Sequence, residues 1–265
     1  MKLIVMGAGY VGETLLKHLQ GKPHEIFITT TRQERVKDLK AYGQSVLLLH
    51  PGENQAIKEL IDACDGMIIL IAPKNSHTYE ETYLTTAKQI SSALQGRKKP
   101  FYLLYTSSTS VYEGQTSWVT EDLLLSPPSE NGKILLSAEQ QYLKAQIKAC
   151  ILRLGGIYGP GRELIDRAKR FSGKEMTGSG NESTNHSHLD DIVKALVFCL
   201  ENSLAGIYNI VNDDHPTRQE LYSELCRSID IPSPVWNTEP SQIGYKVSNE
   251  KIKDAGFIFQ HPLVQ

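Results

Sequence analysis

Short apolar runs alternate with helix-period segments along the first 160 residues. The runs are residues 2–6, Glu25–Thr30, Ser45–Leu49, Met67–Ile71, Phe101–Tyr105 and Cys150–Leu154. Runs this apolar suit strands buried on both faces. Their alternation with helical segments such as the one bearing Leu15, Leu16 and Leu19 predicts an α/β fold with a doubly wound, mostly parallel sheet. Beyond residue 160 the regularity gives way to a Gly/Ser/Asn-rich loop at Thr177–Asn181, a helix over Asp190–Leu200, a strand at Ile207–Val211 and a helix from Arg218. The expected organisation is a sheet domain over 1–160 and a smaller C-terminal lobe over 161–265, partly interleaved with the sheet.

The first strand runs directly into Gly7-Ala8-Gly9-Tyr10-Val11-Gly12, which opens the first helix. In such a strand–turn–helix, Gly7 permits the sharp turn, Gly9 lets the backbone approach a pyrophosphate, and Gly12 lets the helix pack on the strand. The unpaired N–H groups and positive dipole end of the helix then face the anion. This is the pattern of a Rossmann dinucleotide site. The same site would draw on Tyr10, Val11, Thr31, Ala72, Pro73, Thr106 and Ser107. An NAD site commonly offers a carboxylate to the ribose 2′-OH about twenty residues further on. The chain has Thr29-Thr30-Thr31-Arg32 there. Hydroxyls and a guanidinium suit a 2′-phosphate, so NADP fits better than NAD, although Arg32 also reads as an exposed residue opening the next helix.

Charge narrows the partners. Twenty-eight basic against thirty acidic residues leave a net charge of −2, and the Arg97-Lys98-Lys99 run is short, which argues against nucleic acid and anionic membranes. Cys64, Cys150, Cys199 and Cys226 show neither C-x-x-C nor metal-ligand spacing and read as core thiols in a reducing compartment. No apolar run is long enough to span a bilayer, so the expectation is a soluble cytoplasmic protein with a small-molecule partner, compatible with a homodimer.

Further stretches appear in order along the chain: Tyr105-Thr106-Ser107-Ser108-Thr109-Ser110-Val111-Tyr112, Leu152-Arg153-Leu154-Gly155-Gly156-Ile157-Tyr158-Gly159-Pro160-Gly161-Arg162, His188-Leu189-Asp190-Asp191, Gly206-Ile207-Tyr208-Asn209-Ile210, and Ser248–Ile252 through Gly256-Phe257. With the glycine turn, they resemble the extended short-chain dehydrogenase/reductase family, in its NAD-dependent epimerase/dehydratase group. The resemblance implies a Rossmann domain for the cofactor, a smaller lobe for a substrate that is often a nucleotide-linked sugar, and a catalytic Tyr and Lys four residues apart in the helix after strand five. This chain departs from that pattern. Aligning Gly132 and Glu139 puts Asn131 at the tyrosine position and Leu135 at the lysine position, and none of the twelve tyrosines has a lysine four residues later. Met6 replaces the glycine of the family's commonest turn, and Gly156 stands where nucleotide-sugar enzymes often carry asparagine. The chain therefore resembles an atypical branch.

Ser108 matches the family's hydroxyl donor to the substrate oxygen and also reads as a turn cap. Other candidate proton donors are His77, Tyr79, Tyr83, Tyr112, His186 and His188. His188 and Arg162 are candidates for substrate binding, Arg162 because a guanidinium at a loop tip offers a bidentate fork to phosphate or carboxylate. His186, His188, Asp190 and Asp191 fit no established zinc spacing, and a capping role for Asp190 accounts for the carboxylates, so no metal is expected. Two functions fit: an oxidoreductase or epimerase using a non-standard acid, or a non-catalytic module that senses NADP(H).

Overall fold

The computed structural model describes residues 1–43, 45–50, 52–73, 78–237 and 244–264; the candidate His77 lies outside them. The predicted apolar runs form a seven-stranded sheet of β1 (Lys2–Met6), β2 (Glu25–Thr30), β3 (Ser45–Leu48), β4 (Gly66–Ile69), β5 (Tyr102–Ser108), β6 (Lys148–Leu154) and β7 (Gly206–Ile210). Their spatial order is β7-β6-β5-β4-β1-β2-β3. The pairs β1–β2, β1–β4, β2–β3 and β4–β5 are all parallel, so the sheet is mostly parallel and the fold is α/β, Rossmann-like.

Strand order reverses between β1 and β4, and open parallel sheets bind ligands outside the carboxyl ends of the strands at such a point. The register fixes that edge. Met6 lies opposite both Thr29 and Ile69, and Ile69 lies opposite Tyr105. The glycine turn, Thr30–Arg32 and Leu70–Pro73 thus leave the sheet on one side, where Thr106–Ser108 end β5.

β1 is buried from Leu3 to Met6. The helix after it, α1 (Tyr10–Leu19), buries Gly12, Leu15, Leu16 and Leu19 on one face. Such spacing repeats every three to four residues and lays a stripe on the sheet, each fully buried leucine contributing roughly 1.5–3 kcal/mol. Ile4, Met6, Ile61, Met67, Ile69, Ile90, Leu103, Tyr105, Tyr142 and Ile151 belong to one core cluster.

Several expected boundaries shift. β4 ends at Ile69, and the Leu70 N–H still donates to the Met6 carbonyl at 2.8 Å as the last bond of the parallel ladder. β5 continues to Ser108, so Thr106 and Ser107 sit inside the strand; the Thr106 hydroxyl donates to the Ile69 carbonyl at 3.3 Å.

Two compact units emerge. One comprises Met1–Ser108, Ser129–Leu152 and Val193–Ile207, the other Thr109–Pro128, Arg153–Ile192 and Tyr208–Gln265. Stretches on both sides of residue 160 serve each unit, a deeper interleaving than one N-terminal and one C-terminal block. No helix among the described residues is long and apolar enough to cross a membrane.

Candidate functional site

The glycine turn closes in the first unit. Gly7 has φ +99°, and a Cβ there would come within 2.6 Å of the Leu70 carbonyl oxygen. A Cβ on Gly12 would run into the Gly7 carbonyl oxygen itself. Protein atoms therefore demand both glycines. Gly9 differs: its φ is −92°, which any residue adopts, and a Cβ built on it meets nothing within 4 Å. Neither backbone nor packing requires glycine there. The space is open, beside a helix N-terminus without a side-chain cap, with Tyr10 and Val11 half-buried and Gly9 exposed. Uncapped first-turn N–H groups are the donors that anions take up.

No acid stands at the end of β2. Thr30 Oγ1 accepts the Arg32 N–H at 3.2 Å, Thr31 is exposed, and Arg32 opens a short 3₁₀ helix, Gln33–Arg35, with Glu34 at 3.9 Å. Arg35 was not apparent from the sequence pattern. Its guanidinium pairs with Glu13 of α1, which holds it charged, while its buried Nε has no hydrogen-bond partner among the described residues. Only the crossing of α1 with the 3₁₀ turn reveals that pairing. Ala72 is exposed and Pro73 half-buried past β4. At the end of β5, Ser107 is buried with its Oγ lacking a hydrogen-bond partner among the described residues, whereas Ser108 is half-buried and already engaged.

The next helix of this unit, α2 (Glu130–Lys144), starts at Ser129, whose hydroxyl accepts the Gly132 N–H at 3.1 Å. Asn131 is exposed and Leu135 is 1% exposed, so Leu135 is a packing residue and brings no cation to this helix. The candidate tyrosines are moved the wrong way for a base. Burial pushes the phenols of Tyr79 and Tyr83 above their usual range.

In the second unit Tyr112 is fully buried, with its hydroxyl donating to Asn209 Oδ1 at 2.9 Å and accepting from Arg153 Nη1 at 2.8 Å. Burial raises its pKa despite that guanidinium. Asn209 in turn gives its backbone N–H to Glu121 at 2.7 Å and its amide to the Ser248 carbonyl at 2.9 Å. This network holds a buried charge and occupies Tyr112 fully. Neither Arg153 nor Glu121 stood out in the sequence, since nothing in spacing shows that a strand arginine points inward.

Arg162 is exposed, and its N–H closes the Gly159-Pro160-Gly161 loop on the Gly159 carbonyl at 2.8 Å. His186 and His188 lie on a three-residue strand paired with Gly156–Tyr158. A Cβ on Gly156 would press the His186 ring at 3.2 Å, so any side chain there requires that ring to give way. Burial lowers His186 to about 4, and burial with His261 as neighbour lowers His188. Both are neutral at pH 7.

The helix α3 (Leu189–Glu201) starts one residue earlier than expected, so Asp190 lies within its first turn rather than capping it. The His188 ring takes that role, Nδ1 accepting the Asp190 N–H at 3.2 Å. The adjacent Asp191 is 1% exposed and accepts the N–H groups of Gln260 and His261 at 2.7 and 2.9 Å. The structure thus adds His261, which stacks on His188 with ring centroids 3.5 Å apart.

A sequence model of the NAD dependent epimerase/dehydratase family matches residues 3–211. The chain is 27% identical to protein YeeZ of Escherichia coli strain K12, over 98% of this chain and 96% of that protein. It is 23% identical to methionine adenosyltransferase 2 subunit beta of Rattus norvegicus, over 88% of this chain and 73% of that one. Among solved structures, UDP-glucuronic acid 4-epimerase from Bacillus cereus in complex with UDP-glucuronic acid and NAD superposes with a TM-score of 0.77 at 20% identity, covering 96% of this chain and 92% of that one.

Proposed function

This chain belongs to the NAD dependent epimerase/dehydratase family, and from that premise we propose that it binds a nicotinamide dinucleotide on the Gly7–Gly12 turn and acts as an oxidoreductase or epimerase on a small or nucleotide-linked substrate. The observation that carries the reading is Gly9, a glycine that neither backbone angle nor protein neighbours require. A ligand backed against the turn supplies the reason. When bound, the nicotinamide supplies the hydride acceptor or donor.

The chain's own residues hold and orient. First-turn N–H groups of α1 take the pyrophosphate, with Tyr10 and Val11 beside it. Arg32 with Thr31 favours NADP, since no carboxylate at the β2 end would repel a 2′-phosphate. Ala72 and Pro73 follow β4, and Thr106 and Ser107 end β5 on the same side of the sheet, beside the glycine turn. Ser108 orients the reacting oxygen. Arg162 and His188 serve the substrate, and the UDP-glucuronic acid in the superposed epimerase motivates the nucleotide-linked class. Asn131 can hydrogen-bond but carries no proton to transfer near neutral pH, and Leu135 cannot lower a phenol's pKa. General acid–base help typically contributes on the order of 10²- to 10⁴-fold, so positioned hydride transfer survives its loss at a reduced rate.

Incubating the full chain with NADP or NADPH and a panel of UDP-linked sugars, while following nicotinamide absorbance and product stereochemistry, tests this. Slow turnover supports the enzyme. A second reading rests on the tyrosines raised by burial, the buried Leu135 and the relative named as a subunit of another enzyme. There the chain binds NADP(H) without turnover and reports it to a partner. That reading requires different affinities for the oxidised and reduced forms, because only such a difference shifts a conformational equilibrium.

A further inference from the structure

We propose that Arg35 is a positioning residue for coenzyme choice: by clamping the Glu13 carboxylate it keeps the first turn of α1 receptive to a dinucleotide that carries a 2′-phosphate. The inference rests on the nicotinamide reading above and deepens it. Glu13 is the acid in the first turn of α1, and its N–H donates to the Gly9 carbonyl at 2.8 Å. Its backbone thus stands one helical turn beyond the open glycine. A carboxylate in a first helical turn is drawn by the same dipole end and N–H groups that attract a phosphate. Left bare, it competes with the incoming anion and repels it.

Arg35 comes from the other side of the site. Its N–H donates to the Arg32 carbonyl at 3.1 Å, which sets it one 3₁₀ turn beyond the residue that follows the end of β2. From there its Nη2 donates to Glu13 Oε1. The ion pair therefore ties the glycine turn to the end of β2, the two places a Rossmann site uses for the pyrophosphate and the adenosine ribose. The Arg35 and Glu13 side chains are 23% and 33% exposed, so solvent screens this pair only in part.

The two arginines of the segment differ in what they hold. Arg32 meets Glu34 through Nε at 3.9 Å, and the Glu34 side chain is 70% exposed, a loose surface pair that a phosphate can displace. Arg35 is committed. The hydrogen bond to Glu13 raises its pKa against the opposing effect of burial, and the charges of Glu13, Asp38 and Glu34 raise it further. Removing Arg35 would add a bare carboxylate to a neighbourhood that already holds those two other acids. A 2′-phosphate, with up to about two negative charges, feels that change strongly, whereas a 2′-hydroxyl does not.

The experiment measures NADPH and NADH affinities by calorimetry for the intact chain, for Arg35→Gln, for Glu13→Gln and for the double variant. Arg35→Gln should weaken NADPH about tenfold and leave NADH within about twofold. Glu13→Gln should bind NADPH at least as tightly as the wild type, and the double variant should come within about twofold of Glu13→Gln, because no carboxylate is left to restrain. Circular dichroism verifies folding. If Arg35→Gln alone does not fold, the double variant, which leaves no unpaired charge, carries the test by the same comparison. A double variant as weak for NADPH as Arg35→Gln, or about tenfold weaker than Glu13→Gln, would mean that Arg35 contacts the coenzyme itself and overturns the proposal. Parallel losses of NADPH and NADH in Arg35→Gln overturn it too, as the mark of a structural role. A wild-type chain that binds neither coenzyme removes the nicotinamide reading instead, and that result is seen before any variant is made.

Discussion

At the scale of single residues, the glycine turn separates what the fold requires from what a ligand requires. Gly12→Ala drives a methyl into the Gly7 carbonyl and should destabilise the chain by several kcal/mol, on the order of the larger strain effects seen in packed cores. Gly9→Ala places a methyl in open space, so its urea midpoint should fall by no more than the modest cost of alanine at a helix N-cap, while coenzyme binding weakens at least about tenfold. If the two variants lose stability alike, the open side of Gly9 is not a ligand cradle. Arg32 gives the companion test. Removing a charge-assisted partner costs about 1.5–3 kcal/mol, so Arg32→Ala should weaken NADP roughly ten- to a hundredfold and leave NAD nearly unchanged. Equal losses would assign Arg32 to the surface, where it opens the 3₁₀ turn.

At the scale of elements, the buried Arg153 is held by strand, loop and turn together. Tyr112→Phe deletes the hydroxyl that accepts from Arg153 and donates to Asn209, leaving both short of a partner. The expected cost is about 1–3 kcal/mol, seen as a lower urea midpoint with an unchanged slope. An unshifted midpoint would show that the network contributes nothing. The same elements show what the sequence could convey. Apolar runs and glycine positions announced the strands and the turn, because burial on both faces and a steric need for glycine leave marks on composition. Pairings across long separations leave none. Arg35 with Glu13, Arg153 with Tyr112 and His261 with His188 join segments that share no period. The replacement of a Tyr–Lys pair by Asn131 and Leu135 was legible only through resemblance, and burial of Leu135 then gave it a packing role.

At the scale of the molecule, the carboxyl end of the sheet beside β1 and β4 organises the account. The four cysteines are all buried. Burial raises the Cys64 thiol to about 11, which leaves about a thousandth of it as thiolate at pH 8. A thiol reagent should therefore label the native chain negligibly and the unfolded chain at four positions; rapid labelling of the native form would contradict the packing described. The central claim is that backbone N–H groups after β1 hold a dinucleotide. Its most direct measurement is calorimetric titration of the intact chain with NADPH, NADP, NADH and NAD. The account predicts one site per chain, tighter for the phosphorylated pair, and strongly weakened by Gly9→Ala. No heat and no thermal stabilisation with any of the four would contradict it.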